Sequence, residues 1–136
     1  MMRIGFLPSD FNPMVLMLGD AEDFRALGGV MRGFARRPED TRIDTMGFCA
    51  ISNTALTLTA TEGPPGIHPR TDGLLWRVDA ARASAFAVQM DALATPEKLS
   101  GAEFLVCGNE DEIPVKLSRG EYTDDFLSSH TTEWRA

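Results

Sequence analysis

Residues 14–37 read MVLMLGDAEDFRALGGVMRGFARR, and this segment carries the strongest signals of local structure in the chain. Its first five residues are all apolar, which is typical of a buried strand. Asp20 then follows as a helix N-cap, and apolar residues recur at helical spacing at Phe24, Leu27, Met31 and Phe34. Pro38 cannot continue a helix. The segment therefore predicts a strand over 14–18 and a helix over about 21–37.

A second segment, residues 74–94, repeats this order of signals. An apolar strand pattern over 74–78 precedes Asp79, and the helical stripe that follows is Ala83, Phe86, Met90 and Leu93. These signals predict a second helix over about 80–94. Aligning Asp20 with Asp79 also brings the two stripes into register. The identities are too few to establish a duplication, but the shared order predicts two βαββ units.

Further strand patterns complete the fold prediction. They cover residues 3–7, 42–49, 54–61, 103–107 and 112–118, and the alternation of Leu56, Leu58 and Ala60 with threonines is the clearest of them. Pro114 cannot donate to a ladder, so it either places the last strand at a sheet edge or leaves that backbone position facing solvent. We expect an α+β fold with a mostly antiparallel sheet of six or seven strands and both helices on one face. One domain over 1–127 and a polar C-terminal tail over 128–136 are expected.

Composition narrows the class of protein. The 136 residues are 43% apolar, enough for the core of one domain, and no run approaches the length of a membrane span. The apolar start ends at Pro8, before a secretory core could form, so a cytoplasmic protein is expected. Arginine greatly outnumbers lysine, which is typical of a GC-rich bacterial genome.

The chain is acidic, with 20 acids against 13 bases and a net charge of −7. This balance repels phosphate and disfavours nucleic acid as a partner. The weakest alternative function is nucleic-acid binding by a local basic stripe on and just after the first helix. This stripe consists of Arg32, Arg36, Arg37 and Arg42. From Glu97 onward there are nine acids and four bases, so most of the negative charge lies near the C-terminus.

No motif in the chain indicates catalysis, a metal or a cofactor. Cys49 and Cys107 stand alone in apolar contexts, which favours inert core thiols over nucleophiles. His68 and His130 are far apart in the sequence and form no ligand pair. Gly28 and Gly29 lie inside the helical pattern and do not resemble a phosphate-binding loop. We therefore predict no metal, no cofactor and no named catalytic residue.

Residues 62–73 contain three glycines and three prolines, which predicts a functional loop. The loop carries His68 and Arg70, and with Trp76 nearby it could form a small-ligand or catalytic pocket. A solvated surface connection is the competing interpretation.

The segment after residue 118 mixes aromatic and acidic residues, and its candidate partner-binding residues are Glu121, Tyr122, Asp124, Asp125 and Phe126. Aromatic anchors among carboxylates suit an interface with a basic protein. The alternative is that Tyr122, Phe126 and Leu127 fold back onto the sheet. The primary hypothesis is that the chain is a non-enzymatic protein-binding or self-associating module, which includes a homodimer. By analogy of size and charge alone, it could be the immunity-like or antitoxin-like partner of a basic toxin.

Overall fold

The computed structural model of the chain describes residues 1–8, 12–95 and 100–120. Within these ranges there are nine strands and two helices. In chain order they are β1 (Met2–Leu7), β2 (Met14–Leu18), α1 (Ala21–Arg36), β3 (Thr41–Arg42), β4 (Cys49–Ser52), β5 (Leu56–Thr59), β6 (Gly66–Arg70), β7 (Gly73–Arg77), α2 (Ala80–Leu93), β8 (Gly101–Leu105) and β9 (Val115–Arg119). The α+β class is confirmed.

The strands form two mixed sheets. Sheet A has five strands in the order β4-β1-β2-β9-β8, and sheet B has four in the order β3-β5-β7-β6. Three pairings are parallel, namely β1 with β4, β2 with β9 and β5 with β7. The expectation of one mostly antiparallel sheet of six or seven strands is therefore wrong. We call β1 to β5 with α1 the first half of the chain, and β6 to β9 with α2 the second half. The reason for the difference is that β5 and β9 each pair in parallel with a strand of the other half.

The two halves are related by a pseudo-two-fold axis, which follows from the alignment of the two N-cap aspartates. Val15 of β2 pairs with Val115 of β9, and Leu74 of β7 pairs with Leu56 of β5. In this alignment Val15 corresponds to Leu74, and Leu56 corresponds to Val115. Exchanging the halves therefore converts one pair of residues into the other.

Hydrogen bonds between the halves obey the same symmetry. Gly19 N donates to Ser118 O at 3.2 Å, and the equivalent Val78 N donates to Thr59 O at 3.1 Å. Each half thus gives its last strand to the sheet of the other half.

Both helices begin at the predicted aspartates. The Asp20 carboxylate accepts from Asp23 N at 2.9 Å, and the Asp23 carboxylate accepts from Asp20 N at 3.0 Å, which forms a reciprocal capping box. The Asp79 carboxylate accepts from Arg82 N at 2.8 Å. These backbone N–H donors hold the pKa of the Asp20 and Asp79 carboxyls below the ordinary value. The predicted helix ends, about Arg37 and Ala94, are each one residue beyond those observed.

The two helices contact each other near the pseudo-two-fold axis. Arg32 Nη1 lies 2.6 Å from Asp91 Oδ2, and these two positions correspond in the alignment of the halves, so equivalent parts of α1 and α2 meet there. Gly28 makes the approach possible, since a Cβ on it would lie 2.9 Å from Asp91 Oδ1. Gly28 therefore serves helix–helix packing.

One core lies between the helices and the inner faces of both sheets. It contains both predicted helix stripes together with Ile4 and Met17 of sheet A and Leu58 and Trp76 of sheet B. The stripes thus share a core as expected, but that core is closed by two sheets instead of one.

Three local predictions need correction. Of the predicted strand 42–49, only Arg42 pairs with β5 and only Cys49 belongs to β4, because the Asp44 carboxylate turns the chain between them by accepting from Leu56 N at 2.9 Å. The predicted loop 62–73 contains β6, an edge strand in which Pro69 is tolerated. Pro114 immediately precedes β9, which lies inside sheet A, and its carbonyl accepts from Val15 N at 3.0 Å.

No helix among the described residues is both long and apolar enough to cross a membrane.

Candidate functional site

The face of sheet A directed away from the helices is the first candidate site, and we call it the outer face of sheet A. Side chains alternate along β2, so Val15 and Met17 enter the main core while Leu16 and Leu18 point to the outer face. By register, the described strand residues on this face are Arg3, Gly5, Leu7, Met14, Leu16, Leu18, Ile51, Ala102, Phe104, Lys116 and Ser118. None of this set is acidic, which contrasts with the net negative charge of the chain.

Two cations border the apolar centre of this face. Arg3 on β1 lies beside Leu18, and Lys116 on β9 lies beside Leu16. The Lys116 ammonium is also 5.4 Å from the centroid of the Phe104 ring, within cation–π distance. This arrangement can attract a carboxylate and an apolar side chain at the same time.

Two large apolar side chains remain exposed at opposite edges of the outer face of sheet A. Ile51 on β4 is 63% exposed, and Phe104 on β8 is 53% exposed. Between them, Leu16 and Leu18 are 0% and 2% exposed. The face therefore has a buried apolar centre, a cation on each side of it and apolar edges.

The corresponding face of sheet B has a different character. The pseudo-symmetry places Leu75 where sheet A has Leu16, Arg77 where it has Leu18, and Thr57 where it has Lys116. Leu75 is only half-buried. The two halves therefore share a backbone arrangement but not a surface, and the apolar, cation-bordered face belongs to sheet A.

The predicted pocket residues His68, Arg70 and Trp76 do not meet in one site. His68 lines a cleft of about 300 Å³ between residues 64–69 and 109–113, and its Nε2 lies 2.6 Å from Pro64 O. Arg70 is exposed at the far end of β6 and lines other clefts beside Thr71 and Gly73. Trp76 is 1% exposed and stacks on Phe86 in the core, with ring centroids 5.8 Å apart.

Residues 109–113 form the other wall of the His68 cleft. Asn109 Nδ2 donates to Pro65 O at 2.6 Å and ties the two walls together. The Glu112 carboxylate accepts from Gly108 N at 2.8 Å and from Asn109 N at 3.0 Å, so it holds the turn in place. Sequence reasoning assigned this turn no role in a site, because its residues are distant from His68 along the chain.

Burial raises the pKa of both cysteine thiols. The pKa of Cys107 is raised to about 11, first by burial and then by the nearby Glu112 carboxylate. The pKa of Cys49 is also raised, mainly by burial. Both residues are half-buried free thiols. At neutral pH they are protonated, and a protonated thiol is a poor nucleophile.

The partner-binding candidates Glu121, Tyr122, Asp124, Asp125 and Phe126 lie outside the described residues, as does the predicted boundary between domain and tail. Within the described ranges, no group of three or more His, Cys, Asp or Glu side chains is arranged to hold a metal ion.

Comparison with models of known protein families, with curated proteins and with solved structures gives no significant match.

Proposed function

We propose that this chain is a non-enzymatic protein-binding module that uses the outer face of sheet A and the acidic segment 121–126. The observation that carries the proposal is the pattern on that face, in which Arg3 and Lys116 border buried Leu16 and Leu18 and apolar side chains are exposed at both edges. Exposed apolar side chains with charge beside them are typical of protein interfaces.

The chemistry of the face selects its ligand. The positive charges of Arg3 and Lys116 attract carboxylates, and aromatic or aliphatic side chains fit the exposed Ile51 and Phe104. The matching ligand is a polypeptide in which acidic and aromatic residues alternate over a short distance. Residues 121–126 have this composition, so the acidic segment and the sheet face are complementary, and two copies of the chain carry all that self-association needs.

A peptide-binding experiment tests the proposal. The receptor is the full chain with Tyr122→Ser, Asp124→Asn, Asp125→Asn and Phe126→Ser, which we call the weakened-segment chain. The probe is a labelled synthetic peptide of residues 119–136. We expect saturable binding by fluorescence anisotropy, and a decrease in affinity of roughly tenfold or more when Lys116→Glu is added, because a charge-assisted contact is replaced by repulsion.

Two controls make this experiment specific. Arg70→Glu places the same charge change on sheet B, where Arg70 is exposed, and should leave the affinity unchanged. A peptide with the four segment substitutions should not bind. Equal binding of both peptides, or equal effects of Lys116→Glu and Arg70→Glu, would contradict the proposal.

A second candidate function is small-ligand binding in the His68 cleft. The observation that favours it is the Asn109–Pro65 hydrogen bond, which joins the two walls of a cleft lined by His68, Glu110 and Asp111. Such a lining suits a small organic amine. Titration with a set of primary amines should shift the His68 ring resonances, and Asn109→Ala should abolish the shifts while Arg70→Gln leaves them unchanged. Shifts spread evenly over the protein surface would refute this candidate.

A further inference from the structure

A cleft of about 240 Å³ at one end of sheet B shares Pro65 with the His68 cleft, and we call it the Arg77 cleft. Two cations line it, namely Arg77 at the end of β7 and Arg82 in the first turn of α2. Neither cation belongs to sheet A, and neither lines the His68 cleft. The Arg77 cleft is therefore separate from both of those sites.

The Arg77 cleft lies at the carboxyl ends of two parallel strands. β5 and β7 pair in parallel with Thr59 opposite Arg77, and the segments that leave them, 60–63 and 77–79, both line the cleft. α2 follows directly at Ala80. Where parallel strands lead into helices, the chains diverge at this end of the sheet, and ligands commonly bind in the resulting crevice. The cleft thus occupies a position that the topology favours for a ligand.

Arg77 brings a half-buried positive charge to the cleft, and it forms no ion pair among the described residues. Its Nε donates to Thr61 Oγ1 at 3.3 Å, a neutral partner that leaves the charge uncompensated. Gly63 lies close to the guanidinium, because a Cβ on it would be 2.7 Å from Arg77 Nη1. A partly buried charge is stabilised by a counter-charge, so an anion in the cleft is favoured.

Arg82 adds a second guanidinium. Its Nη1 lies 2.6 Å from Asp79 Oδ2, while Asp79 Oδ1 accepts from Arg82 N at 2.8 Å. Asp79 therefore caps the helix and also fixes the Arg82 side chain beside the cleft. A guanidinium has five N–H donors, so Arg82 retains donors for a ligand.

The fold does not require two cations at these positions, as the first half shows. Aligning the N-cap aspartates places Leu18 at the position of Arg77 and Asp23 at the position of Arg82. Leu18 is buried, and Asp23 takes part in the capping box. The same backbone arrangement thus forms without either guanidinium, so a structural role common to both halves does not account for the two arginines.

The lining of the Arg77 cleft defines the class of ligand. Two guanidinium groups bind a carboxylate or another oxyanion through charge-assisted hydrogen bonds. Glu62 and Asp79 also line the cleft, and their charges oppose a second negative charge on the ligand. Ala60, Pro65 and Val78 provide an apolar wall. We propose that the Arg77 cleft binds a small organic monocarboxylate, with its carboxylate on the two arginines and its body against the apolar wall.

Titration of the full chain with benzoate, followed by amide NMR spectroscopy, tests the proposal. We expect saturable shifts of the Gly63 amide and of the Arg77 Nε–H, because both lie at the cleft. Benzamide has a similar shape but no charge, so it should bind at least tenfold more weakly. Inorganic phosphate in mildly alkaline buffer is mostly a dianion, and it should also bind more weakly than benzoate.

Two variants and a matched control assign the effect to the cleft. Arg77→Gln should weaken benzoate binding at least tenfold, because the uncompensated charge is removed. Arg82→Gln should also weaken it, and this side chain is 39% exposed, so its replacement leaves the core intact. Arg36→Gln removes an exposed guanidinium at the end of α1 and should leave the affinity unchanged. The fluorescence of the buried Trp76 verifies that each variant is folded.

Several results would overturn the proposal. These are shifts that do not saturate, equal affinities for benzoate and benzamide, and equal effects of Arg77→Gln and Arg36→Gln. Tighter binding of phosphate than of benzoate would overturn the assignment to monocarboxylates. The proposal goes beyond the proposed function and fails separately from it, because Arg77→Gln leaves the outer face of sheet A and its peptide unchanged.

Discussion

Leu16→Ala should destabilise the protein far more than Leu75→Ala, although pseudo-symmetry places the two leucines at equivalent positions. Both lie on the outward side of the second strand of their half, and they correspond when the halves are aligned on their N-cap aspartates. Leu16 is 0% exposed, while Leu75 is half-buried. The two sites therefore have the same backbone setting and differ in what covers the side chain.

The expected free energies follow from this difference in cover. Truncating a fully buried leucine to alanine costs about 3–5 kcal/mol, because apolar transfer energy is lost and a cavity remains. At the half-buried Leu75 there is less burial to lose and solvent fills the space, so about 1 kcal/mol is expected. The difference between the two variants should be at least about 2 kcal/mol.

Urea denaturation measures this difference. Far-UV circular dichroism and the fluorescence of the buried Trp76 report unfolding of the backbone and of the core, and coincident transitions would justify a two-state fit. Leu16→Ala should lower the denaturation midpoint with an unchanged slope. If Leu16→Ala and Leu75→Ala agree within about 0.5 kcal/mol, the outer face of sheet A is not covered, and the argument from burial fails.

Three further predictions concern other parts of the fold. Asp44→Asn should cost about 1–3 kcal/mol at pH 7, because the carboxylate accepts from Arg42 and from Leu56 N. The hydrogen bonds from the Arg42 side chain hold the pKa of Asp44 in the folded protein below its ordinary value. The stabilisation by the Asp44 carboxylate is therefore fully present above the unfolded-state pKa of about 3.9, and it is lost as the pH falls through the pKa of the folded state. Urea curves of the two proteins should converge in acid, and the exposed control Asp40→Asn should match the unmodified protein throughout. Gly73→Ala should lower the melting temperature, since Gly73 has φ +146° and a Cβ added there would lie 2.7 Å from Ala55 Cβ. Gly29→Ala in α1 should raise the melting temperature, because a Cβ added there would meet no atom within 4 Å and alanine favours a helix. The opposite order of melting temperatures would refute this local geometry. With Cys49→Ser in place, the rate of Cys107 alkylation by iodoacetamide should rise about tenfold per pH unit up to about pH 11, and a plateau near pH 8 would contradict the raised pKa.

The helices show how far local sequence determines this fold. An aspartate at the N-cap and apolar residues every three or four positions depend only on neighbours within a turn or two. For this reason α1 and α2 were predictable to within one residue at each end. The alternation likewise predicted that Leu56 and Leu58 are buried, although Thr59 on the opposite side of β5 is buried as well. These features, and with them the α+β class, come from the sequence alone.

Strand partners could not be obtained in the same way. The alternating pattern of β5 is equally compatible with several neighbours, because either edge of a strand can form a ladder. The exchange of β5 and β9 between halves is set by loop lengths and by packing on the helices, which act between residues far apart in sequence. β5 pairs antiparallel with β3, which precedes it along the chain, while its other edge pairs in parallel with the distant β7.

The candidate sites follow the same division. The sequence by itself determined that residues 62–73 carry an imidazole and a guanidinium close together and that the C-terminal segment is acidic and aromatic. Only the tertiary structure decided that Trp76 is enclosed in the core, that Asn109 faces the His68 cleft, and that two cations border a buried pair of leucines on sheet A. The physical reason is that composition and alternation are properties of short segments, whereas burial and charge proximity depend on which distant strands become neighbours.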